Sequence, residues 1–157
     1  MLYSALITFM GDMLDSKRMA ADWLWSKKIS FAGNMDTAHS LIDEITAQME
    51  SAGWEMKETF AANMAFEEAL INAVQHGNHS DPEKQVHLTC CLNSKLVYAR
   101  IEDEGEGFDP KAVPDPTDED NLMTASGRGV LLIRNFVSRS KWNDKGNVLE
   151  FEIDRTG

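Results

Sequence analysis

Residues 65–74 read AFEEALINAV, and the helix that they predict constrains the fold of the rest of the chain. Its residues are nearly all apolar, so we expect a helix that is buried on most sides. Glu68 and Asn72 interrupt the apolar pattern four residues apart, which places both side chains on one face of that helix. Burying a carboxylate is costly unless the group is paired or bound to a metal ion, so this face requires an explanation.

Two interpretations of this polar face are open. In one, Glu68 and Asn72 form a wet stripe that faces solvent. In the other, Glu68 is a carboxylate base and Asn72 is an oxygen ligand for Mg²⁺, which prefers a few oxygen ligands together with phosphate and water. Glu67 lies about 100° around the helix from Glu68, so it cannot share either role.

The patterns before and after this helix predict the fold class. The predicted elements are a strand at 25–31, a helix from an N-cap at Asp36 to Gly53, a helix from Glu55 to His76, strands at 86–92 and 96–103, a helix from about Gly129 to Val137, and a hairpin that turns at 144–147 and ends at Ile153. Most strands have one apolar and one polar face, so helices should cover one side of a single sheet. The predicted fold is α/β: a two-layer sandwich of a largely antiparallel mixed sheet covered on one face by helices.

A second polar constellation lies where the predicted strand 96–103 ends. Asp103 is followed by Gly105 and Gly107, and glycines permit backbone conformations that other residues avoid. A carboxylate at a strand end can accept a hydrogen bond from the exocyclic amine of adenine, and glycines let the backbone approach a base closely. The alternative is an acidic turn that Asp109-Pro110 closes.

A third constellation, Ser126-Gly127-Arg128-Gly129, directly precedes an apolar helix. The start of a helix has free N–H groups and a positive dipole end, which suit a phosphate. A flexible helix entry explains the glycines equally well. The stretch is not a P-loop, because the chain has no G-x-x-x-x-G-K-[ST] pattern.

In this order, the three constellations resemble the N, G1 and G2 boxes of the GHKL (Bergerat-fold) ATP-binding superfamily. Residues 73–77, AVQHG, and residues 127–134, GRGVLLIR, are similar to the anti-sigma-factor serine kinases within it. The resemblance covers residues 26–154. It implies a histidine-kinase-like ATPase fold and the cofactors ATP and Mg²⁺.

The resemblance also implies a role for each motif residue. Glu68 is the general base and Asn72 the Mg²⁺ ligand, Asp103 accepts the adenine amine, and residues 109–125 form the ATP lid. Gly105 and Gly107 line the base, Gly127 and Gly129 offer backbone to the phosphates, and Arg128 either reaches the γ-phosphate or forms an exposed ion pair.

By the same resemblance, the chain is a serine/threonine protein kinase that acts as an anti-sigma factor. It phosphorylates an anti-anti-sigma (STAS-type) protein and sequesters a sigma factor, and the family leaves room for a homodimer. The alternative is a non-catalytic module of a bacterial signalling assembly, which nucleotide switches between binding states. Glu68 favours the enzyme. Asn147 favours the module, because the family usually has Thr after Gly146 and we expect Asn at this position to weaken the contacts to the nucleotide.

Three histidines invite other interpretations, which the sequence does not favour. His39 is not expected to be a phosphoacceptor, because the chain has no room for the separate dimerising helical hairpin that carries the phosphoacceptor of histidine kinases. His76 and His79 flank a helix end without matching Cys or acidic ligands, so we expect no metal site there.

Composition narrows the range of partners and compartments. A net charge of −11 argues against direct nucleic-acid binding, which requires clustered Lys and Arg. Cys90 and Cys91 are neighbours on a predicted strand and point to opposite faces, so we expect free thiols and a cytoplasmic location.

We predict two regions, an N-terminal extension at 1–22 and the kinase domain at 23–157. The extension lacks a basic region before its apolar part, and its apolar run falls far short of the roughly 18 residues that span a membrane. Residues 1–18 either precede a true start at Met19 or form an extra helix that packs on the domain.

Overall fold

The computed structural model describes residues 22–110 and 125–156. In chain order its elements are β1 (Trp25–Ala32), α1 (Met35–Ser51), α2 (Met56–Ile71), a π-helical segment (Asn72–Gly77), β2 (Gln85–Leu92), β3 (Leu96–Asp103), α3 (Ala125–Phe136), β4 (Arg139–Trp142) and β5 (Val148–Asp154). Each strand and helix that the sequence predicts is therefore present.

The five described strands form one sheet in the order β1-β2-β3-β5-β4. All four pairings are antiparallel, so no parallel pair is present among the described strands. The β3 strand lies in the middle of the sheet, and its last residue, Asp103, ends at one edge of the layer. The predicted two-layer α/β sandwich is confirmed.

The core lies between the helices and one face of the sheet. Leu88, Ile101 and Leu149 are register partners on three adjacent strands and are all buried. Phe66 of α2 reaches this layer and packs edge-on against Phe151 of β5, with the ring centroids 5.0 Å apart. The apolar stretch of α2 is thus the link between the two layers, as its sequence predicts.

The N-cap of the first helix lies two residues before the predicted one. Asn34 has extended backbone angles, and its side-chain oxygen accepts a hydrogen bond from the Thr37 N–H at 2.9 Å. Asn34 is therefore the N-cap, and the prediction of Asp36 was wrong. Asp36 lies in the first turn instead, where a carboxylate interacts favourably with the helix dipole.

The second helix has a changed geometry at its end. Its start is a capping box, in which Glu55 and Glu58 satisfy each other's backbone N–H groups. From Asn72 to Gly77 the chain winds as a π-helix, and the Asn78 N–H donates to the Ala73 carbonyl at 2.9 Å. Short π-helical segments frequently occur at functional sites.

The third helix begins at Ala125, four residues before the predicted start near Gly129. Gly127 and Gly129 therefore lie within its first turns and not in a loop before it. The proposed division at residue 22 remains a prediction, because residues 1–21 lie outside the described part of the chain. None of the described helices is long and apolar enough to cross a membrane.

Candidate nucleotide-binding site

A pocket opens between the end of α2, the end of β3 and the start of α3. Its volume is about 240 Å³, far more than the roughly 30 Å³ that one water molecule occupies in the liquid. Asn72, Asp103 and Gly107 line it, together with Val130 of α3 and Gly146 of the β4–β5 turn. The pocket thus brings together residues from the first two sequence constellations and Val130, which directly follows the third.

The Asp103 carboxylate is the most buried charged group of this pocket. The residue is only 7% exposed, and its Oδ1 accepts a hydrogen bond from the Gly105 N–H at 2.9 Å. Burial raises the pKa of Asp103, while the hydrogen bond from Gly105 opposes that shift. A buried carboxylate with spare acceptor capacity at the wall of a pocket is suited to a ligand that donates hydrogen bonds.

Two glycines make room for this carboxylate. A Cβ atom added to Gly77 would lie 2.3 Å from the Asp103 Cγ, and one added to Gly105 would lie 1.9 Å from the Gly77 carbonyl oxygen. Real Cβ atoms do not approach other atoms so closely, so both positions require glycine. The glycine of AVQHG therefore has a packing role that the sequence motif alone does not reveal.

The glycine loop after Asp103 interlocks with the β4–β5 turn. Gly107 and Gly146 have φ angles of +79° and +80°, which favour glycine. A Cβ on Gly107 would lie 1.9 Å from the Lys145 carbonyl oxygen, and one on Gly146 would lie 1.9 Å from that of Phe108. Each glycine thus allows its own backbone to approach the other loop.

Asn147, which stands where the family usually has Thr, is fully engaged within the protein. Its Nδ2 donates to the Asp103 carbonyl at 3.2 Å, and its Oδ1 accepts from the Asn143 Nδ2 at 2.8 Å. Asn143 Oδ1 in turn accepts hydrogen bonds from the backbone N–H groups of Gly146, Asn147 and Val148. Asn147 is not among the described residues that line the pocket, and the expected weakening of nucleotide contacts remains a prediction.

Glu68 and Asn72 occupy the same face of α2, as the spacing predicts. The Asn72 N–H donates to the Glu68 carbonyl, which is the α-helical i to i−4 bond that aligns the two side chains. Asn72 lines the pocket, whereas Glu68 is half-buried and is not among the described lining residues. Glu67 points elsewhere, because its Oε1 lies 4.0 Å from Nε2 of His39 on α1.

Gly129 lies beside Asn72. A Cβ added to Gly129 would lie 2.6 Å from the Asn72 Nδ2, so a side chain here would displace the amide. As the fifth residue of α3, Gly129 has a backbone N–H that belongs to the intrahelical hydrogen bonds, whereas Gly127, the third residue, lies in the first turn, where N–H groups have no intrahelical partner. The phosphate roles of Gly127, Gly129 and Arg128 stay predictions, and the side chain of Arg128 lies outside the described atoms.

An aromatic part of the site was not predicted from the sequence. Phe108 and Trp142 line the pocket and pack edge to face, with centroids 4.9 Å apart. Phe108 directly follows the D-x-G-x-G motif, so its position was a usable signal. Trp142 comes from a distant strand, and no local pattern connects it with the motif.

His76 and His79 also line the pocket, through the π-helical segment and the turn after it. His79 has a φ of 51°, which is unusual for a residue with a side chain. Within residues 22–110 and 125–156, no group of three or more His, Cys, Asp or Glu could hold a metal ion. The two free cysteines, Cys90 and Cys91, are buried away from this pocket.

Comparison with known proteins agrees with this geometry. Residues 31–153 match the family described as the histidine kinase-like ATPase domain, and the chain belongs to that family. Membership in a family of ATPase domains implies that the chain binds ATP.

Two relatives are more specific. The chain is 32% identical over 85 residues to the anti-sigma F factor of Oceanobacillus iheyensis, across 52% of this chain and 58% of the relative. It is 30% identical over 111 residues to the anti-sigma F factor of Shouchella clausii, across 69% of this chain and 73% of the relative. The chain therefore spans less than two thirds of the first of these relatives.

We expect Asp103→Asn to abolish detectable ATP binding, measured by calorimetry. The carboxylate of Asp103 offers only acceptors to the adenine amine, whereas the amide of Asn would present both a donor and an acceptor at the pocket wall. The affinity for ATP should therefore fall about 100-fold or more. Normal affinity in the variant would refute the adenine assignment.

We expect Asp103→Asn to remain folded and to change how the stability of the protein depends on pH. Because burial raises the pKa of Asp103, the native state binds its proton more tightly than the unfolded state does. Stability should therefore fall as pH rises through and above the ordinary carboxyl range near pH ~4. Relative to Asp103→Asn, the wild type should gain unfolding free energy as pH decreases from 7 to about 4. Chemical denaturation at several pH values measures this, and a gain in the opposite direction would contradict the assignment of a buried carboxylate.

We also expect Gly129→Ala to weaken Mg²⁺-dependent ATP binding about tenfold or more, because the added methyl group displaces the Asn72 amide. Unfolding free energy should change little, since alanine favours a helix and the displaced group is the end of a side chain. Gly33→Ala is the matched control, because its added Cβ would meet Val74 at an ordinary 3.4 Å. Equal ATP affinities in the two variants would exclude this role of Gly129.

Proposed function

We propose that the chain is an ATP-dependent serine protein kinase of the GHKL type that acts as an anti-sigma factor. The observation that carries the proposal is the buried Asp103 carboxylate in a pocket that Asn72 shares, one helical turn from Glu68. The two relatives named anti-sigma F factor support the choice within the family. A cytoplasmic location and a homodimeric state are parts of the same proposal.

In this proposal the adenine base enters the pocket with its amine toward Asp103. The carboxylate accepts that hydrogen bond, and Gly105 and Gly107 keep the backbone close to the base. Phe108 and Trp142 provide apolar contact area at the same end of the pocket. The phosphates then extend toward Gly127 and the start of α3, where free N–H groups and the positive end of the helix dipole favour negative charge.

The residues fit a bound Mg²⁺ that is shared with the nucleotide. Asn72 lines the pocket and carries one amide oxygen, and the described residues contain no cluster of acidic or histidine ligands that could hold a metal ion alone. Mg²⁺ is commonly bound through one or two protein ligands together with substrate phosphates and water. When bound, the ion would neutralise charge on the phosphates.

Glu68 is the proposed general base. Its carboxylate takes the proton from a serine hydroxyl of the protein substrate, and the serine oxygen then forms a bond to the γ-phosphorus. The bond from the γ-phosphorus to the bridging oxygen breaks, and ADP leaves with that oxygen. The half-buried position of Glu68, outside the pocket wall, suits a group that meets a second protein.

The proposed partners follow from the family and from the names of the relatives. The substrate is an anti-anti-sigma protein of the STAS type, and the sequestered partner is a sigma factor. Direct contact with nucleic acid forms no part of the proposal, because the chain carries a net charge of −11.

A second candidate is a binding module in which nucleotide acts only as a switch. One observation favours it: Glu68 is not among the described residues that line the pocket, whereas a general base must reach the serine hydroxyl that attacks the bound nucleotide. The two candidates make opposite predictions for phosphoryl transfer.

Glu68→Gln should reduce serine phosphorylation of a co-purified partner by roughly 10²–10⁴-fold while leaving ATP and partner binding intact. The change removes the basic carboxylate and keeps the size of the side chain. Glu67→Gln is the matched control, because Glu67 lies near His39 and should be neutral. Transfer of the γ-phosphate is measured together with nucleotide affinity for each protein.

Asn72→Ala should instead weaken Mg²⁺-dependent ATP affinity itself, because it removes a ligand and not a base.

Equal transfer of the γ-phosphate by wild type and Glu68→Gln would remove Glu68 from the mechanism. Absence of transfer by the wild type to any co-purified partner would support the binding module.

A further inference from the structure

Asn78 directly follows the π-helical segment, and its polar groups are buried. The residue is 0% exposed. Its backbone N–H donates to the Ala73 carbonyl at 2.9 Å, and its own carbonyl accepts from the Asp81 N–H at 3.0 Å. Asn78 is not among the described residues that line the nucleotide pocket, so its effect on a ligand must pass through neighbouring groups.

The side chain of Asn78 joins the ends of two neighbouring strands. Its Oδ1 accepts a hydrogen bond from the Glu104 N–H at 2.8 Å, and its Nδ2 donates to the Gln85 carbonyl at 3.0 Å. Gln85 is the first residue of β2, and Glu104 directly follows β3. One buried amide group therefore bridges the two strand ends beside the pocket.

This bridge stands where the ladder between β2 and β3 would otherwise continue. The last register pair is Val86 with Asp103, so the next pair would be Gln85 with Glu104. The Asp103 N–H donates to a carbonyl on the β5 side, and successive N–H groups of a strand point to opposite sides, so the Glu104 N–H is directed at β2. Its acceptor there is the Asn78 Oδ1. The inserted amide thus separates the two strands at the end where Asp103 lies.

The main chain next to the same residue packs against the Asp103 carboxylate. A Cβ on Gly77 would lie 2.3 Å from the Asp103 Cγ, and one on Gly105 would lie 1.9 Å from the carbonyl oxygen of the peptide that joins Gly77 to Asn78. The backbone of Asn78 therefore places Gly77 against the carboxylate. Its side chain holds the N–H of Glu104, which lies between Asp103 and Gly105 in the chain.

The turn after Asn78 has an unusual conformation that requires such contacts. His79 and Ser80 have φ angles of 51° and 56°, which residues with a side chain rarely adopt. The Ser80 N–H donates to the Val74 carbonyl at 2.9 Å. Residues in such conformations persist only where the surrounding structure determines them, and the hydrogen bonds of Asn78 are among those contacts.

We infer that Asn78 is a positioning residue, which holds the Asp103 carboxylate in the orientation that meets the adenine amine. The inference rests on the proposed function, because it takes adenine as the ligand of Asp103. Without the amide, the Glu104 N–H and the Gln85 carbonyl would lose their partners and could pair directly. The end of β3 would then shift, and the Asp103 carboxylate would move relative to the pocket.

The experiment measures the affinities of the protein for ATP and for inosine triphosphate by calorimetry in the presence of Mg²⁺. The two nucleotides share their sugar and phosphates, so the ratio of the two affinities reports how Asp103 meets the adenine amine. We expect Asn78→Ala to lower the affinity for ATP about tenfold or more without weakening the affinity for inosine triphosphate. A residue with a merely structural role would not change this ratio.

Asn93→Ala is the matched control, because Asn93 ties the main chain at the opposite end of the same two strands. Its Oδ1 accepts hydrogen bonds from the N–H groups of Lys95 and Leu96 at 2.8 and 2.9 Å. This change should lower the unfolding temperature and leave the ratio of affinities as it is in the wild type. Thermal denaturation of each protein shows which variants are folded.

Failure of the inference can be distinguished from failure of the proposed function. Equal affinities of the wild type for the two nucleotides would overturn the adenine assignment and the inference with it. If the wild type prefers ATP and a folded Asn78→Ala keeps that preference, Asn78 does not position Asp103. Losses of equal size for both nucleotides, or the same change of ratio in Asn93→Ala, would also overturn the inference.

If Asn78→Ala does not fold, Asn78→Asp decides. The protonated acid has the shape of the amide and can both accept from the Glu104 N–H and donate to the Gln85 carbonyl, whereas the ionised form cannot donate. The ratio of affinities is measured between about pH 5 and pH 9 against the wild type at each pH. A reduced preference for ATP in the folded variant, with the affinity for inosine triphosphate maintained, supports the inference. A preference equal to that of the wild type throughout overturns it.

Discussion

The burial of the Asp103 carboxylate is the constraint on which the arrangement of the site depends. A carboxylate that is 7% exposed loses much of its hydration, and its backbone partner, the Gly105 N–H, satisfies only part of its capacity. The close approach of Gly77 on one side and Gly105 on the other leaves no space for a side chain at either position. The chain therefore keeps an acceptor at the pocket wall at a cost in stability, as binding sites often do.

Three surrounding elements contact Asp103 or Asn72 directly. Asn147 links the end of β3 to the β4–β5 turn, because its carbonyl accepts from the Asp103 N–H and its amide donates to the Asp103 carbonyl. The π-helical segment at the end of α2 supplies Gly77, and α3 brings Gly129 against Asn72. The pocket is thus a junction of both layers, and a change in one element is transmitted to Asp103 or Asn72 by direct contact.

Much of this arrangement could be predicted from the sequence, because local patterns specify it. The periodicity of 65–74 predicts the buried helix, and Asp103-x-Gly105-x-Gly107 predicts a polar strand end with a close backbone approach. The place of Trp142 in the pocket and the hydrogen bonds between Asn147 and Asp103 could not be predicted, since they depend on which strands become neighbours. The N-cap at Asn34 was missed because Asn34 and Asp36 are both good capping residues. The start of α3 at Ala125 was missed because the glycines at 127 and 129 are typical of a loop.

If Asp103 selects adenine through its exocyclic amine, the protein should discriminate ATP from inosine triphosphate. The two nucleotides have the same sugar and phosphates, but inosine carries a carbonyl oxygen where adenosine carries the amine. Calorimetry in the presence of Mg²⁺ should give an affinity for ATP that is roughly 10²–10⁴-fold higher, because the carboxylate would face an acceptor in the inosine complex. Equal affinities for the two nucleotides would show that Asp103 does not recognise the amine.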